Sequence, residues 1–246
     1  MTEPRTLAWR AGSALALQAQ LGLERLPAGQ AALLDKKPRE RWLMAAWLSV
    51  QAERLAYPLH VHNSERPDFL LSAPGMAIGV ECMEVVPEEL KRLQAELREV
   101  NSGWIRPVLA PGEHDWDWSN PMLQRLLAPR GGRPGYDSDD PEGLWLAVMG
   151  WAVAKKRDVI NRDGFARQPR NVLLLHDNWP LPALPALPCA GAGDAGQQQR
   201  WSGVLARLQV QLLAQGAFAD WQQVAIVQAG WVWDLDMDRI HALPRV

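Results

Sequence analysis

At 246 residues the chain is long enough for one α/β domain with a substantial core, and its 48% hydrophobic and 22% charged content excludes a disordered or fibrous protein. A formal net charge of −2 excludes a globally basic nucleic-acid binder, so a nucleic-acid partner would have to meet a local positive patch. Two cysteines, Cys82 and Cys189, lack metal-ligand spacing and read as the reduced thiols of a cytoplasmic protein. The opening segment carries Glu3 and only a short apolar run, and no later segment reaches the ~18 apolar residues of a membrane span, so neither a signal peptide nor a membrane partner is expected. Thirteen tryptophans, scattered without a regular pattern, read as core and interface residues rather than as base-stacking platforms.

In chain order, residues 13–22 and 27–34 read as short amphipathic helices within an N-terminal helical extension, 1–38. Residues 39–56 place Trp42, Leu43, Ala46, Trp47, Val50 and Leu55 near one stripe, which predicts the first long helix. Glu40 at its start is either a solvated acid favoured by the helix dipole or an acid belonging to a site. Residues 57–63 predict a strand with His60 and His62 on one face. Without a third ligand nearby, the pair reads as two partly exposed strand histidines.

Residues 66–86, RPDFLLSAPGMAIGVECMEVV, are the informative stretch. Two apolar runs, each with one acid (Asp68 and Glu81), flank a Ser-Ala-Pro-Gly turn and predict an antiparallel hairpin. Strand alternation puts Glu81 and Met83 on one face and Cys82 and Glu84 on the other. An acid in a half-buried strand costs desolvation energy unless it is paired, protonated or bound to a cation. One or two carboxylates with water and phosphate oxygens are the usual way to hold Mg²⁺, so the pair points to a divalent-metal site.

Residues 87–100 predict a helix with Pro and Glu at its start, and 104–110 an edge strand. The stretch 111–141 is rich in Gly, Pro and Asp. Its acids Asp137, Asp139 and Asp140 read as a solvated loop, since the bidentate Glu of a calcium loop is missing. Residues 142–160 predict a helix ending in Lys155, Lys156 and Arg157, and 171–177 an apolar strand. Cations suit a helix C-terminus, and adjacent helical residues point about 100° apart, so only one of the two lysines is expected to face inward. Lys155, Lys156, Arg157, Arg162, Arg167 and Arg170 form the densest positive stretch. It is either a phosphate-backbone patch, with the four arginines as nucleic-acid contacts, or ordinary surface charge.

Residues 180–199 read as a Pro/Gly-rich loop, 200–216 as an amphipathic helix ended by Gly, and 222–228 and 231–235 as edge or late strands. Together these elements predict a single α/β domain over 1–246, a mixed sheet flanked by helices.

Pro67-Asp68, the loop, and the Gly-Val-Glu strand resemble the PD-(D/E)XK, or restriction-endonuclease-like, nuclease superfamily, in particular bacterial members with a "PDF…GIEVTE" signature. The resemblance implies a restriction-endonuclease-like core and hydrolysis of nucleic-acid phosphodiesters with Mg²⁺ or Mn²⁺, DNA ahead of RNA. Asp68, Glu81 and the Cys82 carbonyl would be metal ligands, and Glu40 an extra acid. The superfamily places a Lys two residues after the Glu, where this chain has Met83. In some members that Lys has moved to a neighbouring helix, which nominates Lys155 or Lys156. The alternatives are a catalytically silent scaffold that binds protein or nucleic acid, and an immunity-type partner protein whose acids pair with arginines.

Overall fold

The computed structural model describes residues 6–22, 36–85, 141–177, 195–228, 231–236 and 240–244. The expectations for 27–34, 87–100, 104–110, most of 111–141, 180–194 and Cys189 lie outside the described residues. Eight strands form one sheet in sequence order: β1 (Leu7–Ala11), β2 (Leu59–Asn63), β3 (Phe69–Ala73), β4 (Met76–Val85), β5 (Arg170–Asp177), β6 (Gln223–Gln228), β7 (Trp231–Leu235) and β8 (Ile240–Pro244). Among the described residues four α-helices accompany them: α1 (Ala14–Leu21), α2 (Lys36–Gln51), α3 (Pro141–Ile160) and α4 (Ala195–Ala214). The α/β class with a mixed sheet is as the sequence predicts.

The hairpin forms where turn chemistry and alternation place it. Ala73 pairs with Met76, leaving Pro74 and Gly75 as a two-residue turn, and Gly75 takes the φ of +71° that a side chain would resist. β1 to β4 are antiparallel, β4, β5 and β6 run parallel, and β6 to β8 are antiparallel again. The long connection between β4 and β5 includes α3, as a parallel crossover requires.

Alternation divides the core into two layers. Ile78, Val80, Cys82, Val172, Leu174, Ala225 and Val227 pack with Leu43, Trp47 and Leu48 of α2 and Leu17 of α1. Leu173, Leu175, Val224 and Ile226 point the other way, against Trp145, Met149 and Val153 of α3 and Leu205, Leu208 and Leu212 of α4. The inner strands are therefore buried on both faces, and their sequences read as continuous apolar runs.

Several expectations need correction. The N-terminal stretch is not wholly helical, because Trp9 and Ala11 point into the core and turn Leu7–Ala11 into an edge strand antiparallel to β2. The strand at 222–228 is interior, since β6 is held by β5 on one side and β7 on the other. Residues 195–199, expected in a loop, open α4, and the helix gives way to Gly216 at φ +67°. Among the described residues no helix is long and apolar enough to cross a membrane.

Leu174 lies fully buried in the central strand β5. Leu174→Ala is expected to destabilise the protein by about 2–5 kcal/mol, read as a lowered urea midpoint at unchanged slope.

Candidate metal and phosphate site

The site begins where a strand stops. The β3–β4 ladder ends at Phe69 opposite Val80, while β4 runs on to Val85. The backbone N–H of Cys82, beyond that last pair, needs an acceptor. The carboxylate of Asp68 supplies it, with Cys82 N–H donating to Oδ2 at 2.8 Å. One step past that last pair, Asp68 stands across from Glu81. Gly79, just before, is needed for close approach: a Cβ there would meet the Asn171 side chain and the Pro67 ring at 3.0 Å each.

Two helices close on this free stretch of β4 from opposite faces. From α2 comes Glu40, which the sequence also allowed to be a solvated helix-start acid. It is only 6% exposed, and its Oε1 lies 2.9 Å from Lys36 Nζ, with no other partner. Lys36 Nζ also lies 3.6 Å from Asp68 Oδ1, and Lys37 sits 3.5 Å from Glu40 Oε2. From α3 comes Lys156, whose Nζ donates to Glu81 Oε1 at 2.5 Å. Lys155 turns away and lies over the Trp151 ring, 5.0 Å from its centre. The helix thus sends one of its two adjacent lysines to the acid, as its geometry requires.

Asp68 and Glu81 are 3% and 5% exposed, and Glu81 Oε2 is buried without a hydrogen-bond donor. Burial, followed by the charge of Asp68, pushes the Glu81 carboxyl above its ordinary value despite Lys156, and the same two causes raise Glu40 despite Lys36. For Lys36, burial acts to lower the ammonium, but the hydrogen bond to Glu40 and the charges of Asp68, Glu40 and Glu81 outweigh it and raise it. Burial and the same three acids hold the Cys82 thiol well up, in its protonated form. Three acids, Glu40, Asp68 and Glu81, meet three lysines there, Lys36, Lys37 and Lys156.

A cavity of about 370 Å³ opens beside these groups, lined by cations (Lys36, Arg39, Lys155, Lys156), by Glu40 and Glu84, and by Met83 and His176. Arg39 pairs with Glu84 across it. The cavity lies toward the carboxyl ends of the parallel strands β4 and β5, where open α/β sheets bind ligands.

The arginine stretch is placed elsewhere. Arg157 and Arg167 both bind Asp220 at 2.9 Å, and Arg157 also donates to the Gln215 carbonyl at 2.5 Å. These bonds outweigh burial and hold the Asp220 carboxyl below its ordinary value. Arg170 donates to Gln223, and Arg162 is exposed. None of the four lines the cavity, and Arg157 and Arg167 brace α3 and the loop after it against the segment before β6. His60 and His62 stack with ring centres 6.5 Å apart.

Sequence reasoning missed Lys36, Arg39, Glu84 and His176. A signal existed at α2, whose first turn holds Lys36, Lys37 and Arg39 and no acid, against the preference of the helix dipole. Such a misplaced charge run needs compensation, and here Glu40, one turn on in the same helix, with Asp68 and Glu84 from the sheet side provides it.

The donor set fits a hard divalent cation. It consists of carboxylate oxygens, one of them buried and without a hydrogen-bond donor. The three acids do not form a closed ligand cage: among the described residues no group of three or more His, Cys, Asp or Glu side chains is arranged to hold a metal ion. Asp68 and Glu81 are the two that would hold Mg²⁺, which commonly takes one or two carboxylates and keeps its waters. No protein-family model, curated protein or solved structure matches the chain.

An acid raised above its ordinary 4.5 binds its proton more tightly folded than unfolded. It therefore penalises the fold above its raised value, and the penalty fades as pH falls from there to 4.5. In chelator-treated buffer, Glu81→Gln is expected to raise the melting temperature at pH 7, with about 2–4 °C corresponding to each ~1 kcal/mol. The gain should shrink as the scan moves from pH 7 to pH 4.5. A loss of stability at pH 7 would show that the Lys156 pair outweighs burial.

Proposed function

We propose that the protein is a Mg²⁺- or Mn²⁺-dependent nuclease of the PD-(D/E)XK type, acting on nucleic-acid phosphodiesters at the cavity between α2 and α3, with DNA ahead of RNA. The observation that carries this reading is the buried Glu81 Oε2, without a hydrogen-bond donor, set across from Asp68. The sequence resemblance around Asp68 and Glu81 supports it independently.

Asp68 and Glu81 would hold the ion, and Asp68 would be fixed for that task by the Cys82 N–H. The Cys82 carbonyl is a further candidate ligand on the same residue. Bound Mg²⁺ would polarise the phosphate and lower the pKa of a coordinated water. Lys156 takes the place that Met83 leaves empty of charge, reaching Glu81 from the helix to orient water or offset charge developing on phosphate oxygens. Arg39, Lys155 and Lys36 line the space that phosphates would enter. Glu40 sits behind Asp68 as the additional acid.

A second reading, the silent scaffold, is favoured by one specific contact. Lys36 already bridges Glu40 and Asp68, as an internal counter-ion would. Cleavage assays on single- and double-stranded DNA and RNA with Mg²⁺ or Mn²⁺ separate the two. The nuclease reading expects cleavage that Asp68→Ala and Glu81→Ala abolish, and activity surviving in both variants would remove the site. Lys156→Met should lower the rate by about 10²–10³-fold, the scale of losing one charge-stabilising group. Lys155→Met should have much the smaller effect. Salt-sensitive binding with no cleavage and no metal uptake would establish the scaffold.

A further inference from the structure

Lys36 is an odd partner for two buried acids. Its side chain is 68% exposed, yet its tip reaches inward to both Glu40 Oε1, at 2.9 Å, and Asp68 Oδ1, at 3.6 Å. Arg39 and Lys156, the other cations on the acids of β4, are themselves largely buried, with side chains 13% and 17% exposed. A long, solvated stem with a compact ammonium gives up little packing when it moves. Lys36 also lines the cavity, so its tip has a place to go that stays within reach of an incoming anion.

We propose that Lys36 is an exchangeable counter-ion: it occupies the electrostatic position of the divalent cation at Asp68, is displaced when that cation binds, and then serves as a contact for the anionic group of the substrate. This rests on the reading of Asp68 and Glu81 as a metal site. Each acid keeps another contact when Lys36 leaves, and only Glu40 Oε1 loses its one partner. Asp68 keeps the Cys82 N–H, Glu40 keeps Lys37 at 3.5 Å, and Glu81 keeps Lys156. A cation of twice the charge, held by hard oxygens, would repay the exchange where another ammonium would not.

The exchange has a definite thermodynamic signature. An ion pair with so exposed a partner holds only weakly, so the competition lowers apparent metal affinity by about two- to six-fold. Lys36→Gln should therefore bind Mg²⁺ and Mn²⁺ about two- to six-fold more tightly than the wild type in titration calorimetry. Removal of any nearby positive charge favours a cation, and Lys37→Gln is the control for that general effect, because Lys37 touches Glu40 but not Asp68. The proposal expects Lys36→Gln to exceed Lys37→Gln, and equal tightening in the two variants overturns it. A direct readout is the NMR signal of ¹³C-methylated Lys36, assigned by its loss in Lys36→Gln. It should move to the position of a solvated lysine as Mg²⁺ is added, and a stationary signal while the ion binds also overturns the exchange. Absence of metal uptake by the wild type and by both variants would instead overturn the metal-site reading and the exchange with it.

Discussion

The structure turns on one unpaired peptide group. β4 outlasts β3, and the amide of Cys82, past the end of the ladder, takes a side-chain carboxylate in place of a strand. A carboxylate fixed there by backbone geometry cannot swing out to water, and its charge is felt by every acid nearby. Burial first and then its charge raise Glu40 and Glu81, and Lys36, Lys37 and Lys156 come in from two helices against the three acids. Each raised carboxyl weakens the fold at neutral pH, while the raised Lys36 ammonium strengthens it, so the cost of burying the acids is set against their ion pairs. A cluster of that kind stands where apolar residues would pack, as at many functional sites.

The cations of α2 arrive at the right place because the far end of the helix is anchored. Gln51, its last residue, donates to Asp234 on β7, and Gln223 on β6 donates to the same carboxylate. Burial pushes the Asp234 carboxyl up, while the two amide bonds act to bring it down. Between the ends, Leu43, Trp47 and Leu48 seat the helix on β4 to β7. A helix tied at its last turn and packed along its length has little freedom to slide. The axial position of its first turn, with Lys36, Arg39 and Glu40, follows from contacts more than three turns away.

How far the sequence reveals this differs from one element to another. The hairpin is legible because three signals coincide: alternation, a Pro-Gly turn, and acids that interrupt apolar runs. β1 is obscured by its length of five residues and by Arg10, and only the burial of Trp9 and Ala11 in the folded protein defines it. The partners of the arginine stretch are hidden for a geometric reason. Arg157, at a helix end, and Arg167, in the loop beyond, converge on Asp220, which lies 63 and 53 positions later in the chain. Lys36 was hidden for the same reason. It lies far from Asp68 in sequence, and only the dipole-opposed run Lys36, Lys37, Arg39 hinted that the charge was wanted elsewhere.

Met83 explains why the positive charge comes from a helix. Alternation turns position 83 to the same face as Glu81, where the Met83 side chain packs against the apolar layer of α3 and α4. An ammonium rooted there would lose its hydration to that layer. Lys156 brings its charge from the opposite wall, with a side chain still partly open to water. The acid–ammonium geometry then depends on how α3 sits on the sheet rather than on strand pairing. That seating is set by Trp145, whose indole N–H donates to Asp177 at 2.9 Å, and by Met149, Ala152 and Val153 against β5 and α4. The helix therefore couples core packing on one face of the sheet to the electrostatics of a cavity at its edge. A change in packing volume along α3 would displace the ammonium while leaving both strand carboxylates where they are.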